Sequence, residues 1–118
     1  MTQEIKLTLG KQERTFTFGI LFIGEVLERT DLDYNALIEK VIKNPFKYAP
    51  ILMYESLRNT AKRIGKELDF TENEMVTWLE QEENLGTDLM IKFVYAFLGT
   101  NGNPTPTENV ENGNVKKK

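Results

Sequence analysis

Two glycines with four residues between them, in Phe18-Gly19-Ile20-Leu21-Phe22-Ile23-Gly24-Glu25, have the spacing with which a phosphate-binding loop begins. The chemistry of that loop requires Lys and then Ser or Thr directly after the second glycine. Glu25 and Val26 stand there instead, and a carboxylate repels phosphate. Asp31-Leu32-Asp33-Tyr34-Asn35 has the alternating oxygen donors of a calcium loop, but its sixth position is Ala36 rather than Gly and its twelfth Ile42 rather than Glu. Helix capping by an Asp explains that segment better. Glu67, Asp69, Glu72, Glu74, Glu80, Glu82, Glu83 and Asp88 follow one another with no Lys or Arg among them. Such a run reads first as a solvated helix face and second as a patch that attracts a basic partner. No two of these acids fall among aromatic and polar residues in the way a glycosidase pair requires.

The chain has no Cys and no His, so disulfides, thiolate nucleophiles, cysteine metal sites and the commonest general base are all missing. That argues against an enzyme, and no catalytic residue, cofactor or metal ligand is assigned. The net charge is −3 over 118 residues. Setting aside the last 18 residues, with Lys116, Lys117, Lys118, Glu108 and Glu111, leaves 12 basic against 16 acidic groups. An acidic body is a poor binder of nucleic acid, whose affinity is mainly electrostatic. The opening MTQEIKLTL lacks the basic and apolar regions of a signal peptide. The longest purely apolar run near it, Ile20 to Ile23, is far shorter than the roughly 20 residues of a membrane helix. A location in the cytoplasm is expected.

The elements that must position these residues can be read from periodicity. Glu4 to Leu9 alternates, with Ile5, Leu7 and Leu9 on one face, and Arg14 to Phe18 alternates again with Phe16 and Phe18 on one face. Gly10-Lys11 between them serves as a two-residue turn, which sets Ile5 opposite Phe16. From Gly19 the period becomes helical, with Ile20, Ile23 and Leu27 as a stripe and Phe22 and Val26 beside it. A second helix starts at Asp33, with Leu32 and Leu37 as a hydrophobic staple and an apolar stripe of Leu37, Ile38, Val41 and Ile42. Asn44-Pro45 signals a third start. Because Pro50 follows so soon, a short turn over Pro45 to Ala49 is expected, then a longer helix from about Pro50 with Tyr54, Leu57, Ala61, Ile64 and Leu68 facing inward. Thr71-Glu72-Asn73-Glu74 is a capping box, with Phe70 and Met75 as its staple and Met75, Trp78 and Leu79 inward. A last helix runs from about Thr87 to Leu98. The expected fold is α+β and mostly α: a hairpin packed on about five short helices in one domain over residues 1–99. After Gly99 the chain turns rich in Asn, Gly, Pro and Thr, and a disordered tail is expected over 100–118.

Two helices carry more apolar surface than one stripe. In the last helix Leu89, Met90, Phe93, Val94, Phe97 and Leu98 fill a wide face, while Ile91 and Tyr95 occupy much of the other. A helix apolar nearly all round is either central to the core or covered on its second side by a partner. Leu21, Phe22, Ile91, Tyr95 and Leu98 are therefore candidates for a partner-binding face that shields an amphipathic helix.

The order of these features resembles the tail assembly chaperones of long-tailed bacteriophages and prophages. The residues that carry the resemblance are Phe18-Gly19 with Ile20 to Ile23, Asn44-Pro45-Phe46, Pro50, Tyr54 and Trp78, over about residues 3 to 98. They are packing and capping residues. The resemblance implies a small non-enzymatic protein of the host bacterial cytoplasm that binds the tape measure protein, keeps its apolar stretches from aggregating, helps bring tail tube subunits to it, and is missing from the mature virion. It leaves homo-oligomerisation open and implies neither nucleic acid nor membrane as partner. It also implies a longer form made by programmed frameshifting, for which A-rich codons behind Lys116-Lys117-Lys118 would be the slippery run. A structural virion protein, such as a head-tail connector or tail completion subunit, is the alternative of the same size and acidity.

Overall fold

In the computed structural model the residues described are 3–100, which form a two-stranded antiparallel hairpin followed by five α-helices. Strands β1 (Gln3–Leu9) and β2 (Gln12–Phe18) pair in the expected register, Ile5 against Phe16 and Leu9 against Gln12. Gly10 and Lys11 both have φ of +66°, so the turn is type I′, whose twist matches that of the strands. Leu7, Leu9, Phe16 and Phe18 are buried. A hairpin of this size is marginal alone, and its apolar face rests on the helices. The outer edge of β2 lies against the third helix, where the Ser56 hydroxyl donates to the Thr17 carbonyl at 3.0 Å and the Thr17 and Thr60 hydroxyls meet at 2.9 Å. Those contacts occupy backbone that would otherwise invite another strand.

Helix α1 (Ile20–Thr30) starts directly after Gly19, and α2 (Tyr34–Lys43) is capped by the Asp33 carboxylate, which accepts from the Ala36 amide at 2.8 Å. Leu37 is buried and Leu32 packs on the core, as the staple requires. The inward face of α1 is Phe22 and Val26, flanked by Ile23 and Leu27; Ile20, expected in the stripe, is 87% exposed. One turn of register decides this, because the first residue of a helix overhangs whatever supports the second turn.

Helix α3 (Pro45–Arg63) corrects the expected break at Pro50. Asn44 stands at its N-cap without a side-chain capping bond, and its carbonyl receives both the Lys47 and Tyr48 amides at 3.2 Å. Pro50 removes one bond to the Phe46 carbonyl, at a cost of about 3 kcal/mol in a helix interior. Burial of Ala49, Leu52, Met53, Ser56 and Leu57 along one face offsets that cost and carries the helix through. The inward face is thus rotated from the expected one. Leu57 is buried and Tyr54 half-buried, but Ile64 is an exposed C-cap residue and Leu68 lies beyond the helix. Gly65, at φ +73°, closes α3: its amide donates to the Lys62 carbonyl and the Lys66 amide to the Ala61 carbonyl, the paired bonds of a Schellman end.

The capping box of α4 (Glu72–Gln81) is present in both directions, Glu74 amide to Thr71 hydroxyl at 3.1 Å and Thr71 amide to Glu74 carboxylate at 2.7 Å. Met75 and Leu79 are buried, whereas Trp78 is half-buried and lies across Gly10 of the hairpin turn. A 3-10 turn over Glu83–Gly86 leads into α5 (Thr87–Thr100). At the centre, the rings of Phe16, Phe18, Phe22, Phe93 and Phe97 join β2, α1 and α5, with centroid separations of 5.3 to 6.1 Å. The expected tail, with Lys116 to Lys118, lies outside the described residues.

Candidate interaction groove

Helix α5 turns Phe93 and Phe97 fully into the core and Met90 nearly so. The outward flank of the helix carries Ile91 at 44% exposure and Tyr95 at 58%. Facing them across the corner of α2 and α3 is Ile42, 59% exposed. Val41, Ile42 and Pro45 form one wall and Ile91, Val94, Tyr95 and Leu98 the other, around a groove of about 350 Å³. Among the described residues no charged side chain lines it, and the Tyr95 hydroxyl is the only polar group on the lining side chains.

The five residues proposed from the sequence divide. Ile91 and Tyr95 stand open on the groove wall, and Leu98, only 8% exposed, belongs to the core and to the groove floor at once. Phe22 is withdrawn from the set. It has no exposed surface, and its ring meets those of Phe18 at 5.8 Å and Phe97 at 6.0 Å, so reaching it would require opening the core. Leu21 is 66% exposed on α1 but does not line the groove. Ile42, part of the expected apolar stripe of α2, is the groove's most open aliphatic side chain. Its signal was in the sequence: four apolar residues at 37, 38, 41 and 42 span a wider arc than one packing contact covers. Val41, Val94 and Pro45 carried no separate signal as groove residues.

The charged groups arrange themselves away from the groove. Arg29 of α1 donates to the buried Glu55 of α3 at 2.9 Å and to Glu72 of α4 at 2.7 Å, and Arg58 donates to the other Glu55 oxygen at 2.7 Å. The hydrogen bond that Arg29 donates to Glu72 first, and the one it donates to Glu55 next, hold its guanidinium above its ordinary range against the opposing effect of burial. Lys62 pairs with Glu25 at 2.6 Å. Arg14, lowered from its ordinary value mainly by burial, lies over the rings of Phe70 and Trp78 at 4.8 and 4.6 Å. These groups form a brace linking three helices, and Glu25, Glu28, Arg29, Glu55 and Arg58 surround an open cleft of about 300 Å³ beside it. Gly19 and Gly24 sit at the start and in the middle of α1, and Asp33 spends its carboxylate on the α2 cap. Among the described residues no group of three or more His, Cys, Asp or Glu is placed to hold a metal ion, and no helix is long and apolar enough to cross a membrane. Comparison with protein-family models, with curated proteins and with solved structures gives no match.

Proposed function

We propose that this protein is a tail assembly chaperone of a long-tailed bacteriophage or prophage, a non-enzymatic factor that shields apolar stretches of the tape measure protein and helps bring tail tube subunits to it in the host cytoplasm. The observation that carries the reading is the uncharged groove between the α2–α3 corner and α5, with Ile42, Ile91 and Tyr95 open around it. An amphipathic helix laid in such a groove contributes apolar side chains at successive turns. About half of each open side chain remains to be buried, worth roughly 1 kcal/mol apiece. Three of them together amount to about a hundredfold in affinity. The residues of the resemblance support the same reading. Phe18-Gly19 forms the junction of β2 and α1, and Asn44-Pro45-Phe46 forms the corner that puts Pro45 in the groove wall.

Charge substitution in the groove tests this. Ile91→Glu and Tyr95→Glu, co-expressed with the tape measure protein of the same gene cluster, are expected to lose co-purification with it while keeping their helicity and melting temperature. Retention of the complex by both variants would overturn the proposal. So would unfolding of both, which would return these residues to the core.

A further inference from the structure

A second cleft, on the far end of α3, has the opposite chemistry. Tyr54, Arg58, Lys62, Lys66, Glu67 and Leu68 surround about 340 Å³ between the last turns of α3 and the segment that folds back along it after Gly65. Residues 58–66 hold Arg58, Lys62, Arg63 and Lys66 with no carboxylate among them, in a chain whose net charge is −3. Arg58 and Lys62 are each tied by one bond, to Glu55 and Glu25. A guanidinium has five donors and an ammonium three, so both keep donors to spare. Among the described residues Lys66 has no carboxylate partner, and the backbone amides of Glu67 and Leu68 make no hydrogen bond within the chain.

The negative end of α3 accounts for one or two cations in its last turn. It does not account for Lys66, which lies beyond the last residue of the helix and closes the Schellman turn with its backbone amide, or for the cleft that these side chains line. We infer that this cleft binds a compact, multiply charged oxyanion, a small phosphate or polycarboxylate compound, held by Arg58, Lys62 and Lys66. Compactness follows from the surroundings. Glu67 stands on the rim and opens the acidic run that continues to Asp88, so an extended polyanion such as nucleic acid would be repelled over most of its length. A small anion seated on Arg58, Lys62 and Lys66 has Glu67 as the one carboxylate among the described residues that line the cleft. The inference is independent of the groove and of the function proposed for it.

Titration of the full chain with inorganic pyrophosphate and, separately, citrate at low salt, followed by amide chemical shifts, tests the inference. Saturable shifts confined to residues 54–68 are expected with either or both compounds, the stronger one identifying the anion class. Lys66→Glu, which breaks no bond of the fold, is expected to weaken binding by about tenfold or more, and Lys92→Glu, on α5, to leave it unchanged. Absence of saturation in the millimolar range, or equal binding by wild type and Lys66→Glu, would overturn the inference. So would tighter binding of a single-stranded oligonucleotide than of pyrophosphate, which would make the cleft part of a nucleic-acid surface.

Discussion

Arg29 on α1 reaches the carboxylate of Glu55, 26 residues further along the chain and only 4% exposed in the middle of α3, at 2.9 Å. A buried carboxylate is costly unless it is paired and hydrogen-bonded. Glu55 is kept in place because Arg58 occupies its other oxygen and Arg29 ties it to Glu72 of α4. One guanidinium thus fixes α1, α3 and α4 relative to one another, and none of Arg29, Glu55 and Glu72 lines the groove of Ile42, Ile91 and Tyr95.

Replacing Arg29 by Met keeps the aliphatic stem and removes both bonds. The side chain is about one-third exposed, so solvent screening reduces the effect. A loss of about 1 to 2 kcal/mol is expected in urea denaturation. The guanidinium is held above its ordinary value in the folded chain, so its contribution is complete at every pH below the value of an unfolded arginine, which lies far above neutrality. The Arg29→Met difference should therefore not decline on raising the pH from 7 to 9.

Gly10 is required twice. Its φ is +66°, and a Cβ there would stand 2.7 Å from Trp78 Cδ2. Gly10→Ala is expected to cost about 2 kcal/mol or more, from backbone strain and a displaced indole together. Trp78 is the only tryptophan, so a shift of its fluorescence at neutral pH, before any unfolding, reports the displacement.

The turn between α4 and α5 carries strain that can be relieved. Asn84, Leu85 and Gly86 all have positive φ, and Leu85 is 56% exposed. A β-carbon in that region costs about 1 to 2 kcal/mol, and no packing offsets it. Leu85→Gly is expected to hold or raise stability by up to about 1 kcal/mol, the gain in strain being reduced by the entropy of glycine. Gly86→Ala should do the reverse, because its Cβ would meet Leu79 at 2.9 Å as well as adopt φ of +74°. Thermal melts of the two variants should shift in opposite directions.

Phe22 and Leu21 are neighbours with opposite roles. Phe22→Ala opens the ring cluster and is expected to cost about 3 to 5 kcal/mol. Leu21→Ala alters a side chain already two-thirds exposed and should change stability by under about 0.5 kcal/mol. Denaturant midpoints of the pair measure how sharply the core boundary falls within one peptide bond.

The hairpin and two of the helix starts are legible in the sequence. Alternation together with Gly10-Lys11 fixed the register of the hairpin, since a shift by one residue would have turned Phe16 and Phe18 to the wrong face. The Asp33 cap and the Thr71 capping box each involve groups within three residues of one another, so no distant contact is needed to specify them. Pro50 misled because its local cost is real, and only the burial of the α3 face against β2, α1 and α5 outweighs it.

Which part of an apolar face becomes interior was a decision of the tertiary structure. The sequence established a broad apolar arc on α1 and α5 and an apolar stripe on α2; Phe22 was enclosed and Ile42, Ile91 and Tyr95 left open by where the neighbouring helices came to rest. Periodicity measures the width of an arc, whereas the direction from which it is covered depends on elements dozens of residues away. For the same reason the Glu55 brace has no signature along the chain, and the four-residue spacing of Arg58, Lys62 and Lys66 marks a run of cations but not the cleft that they line. Brace and cleft exist only once α1, α3 and the segment after Gly65 are packed side by side.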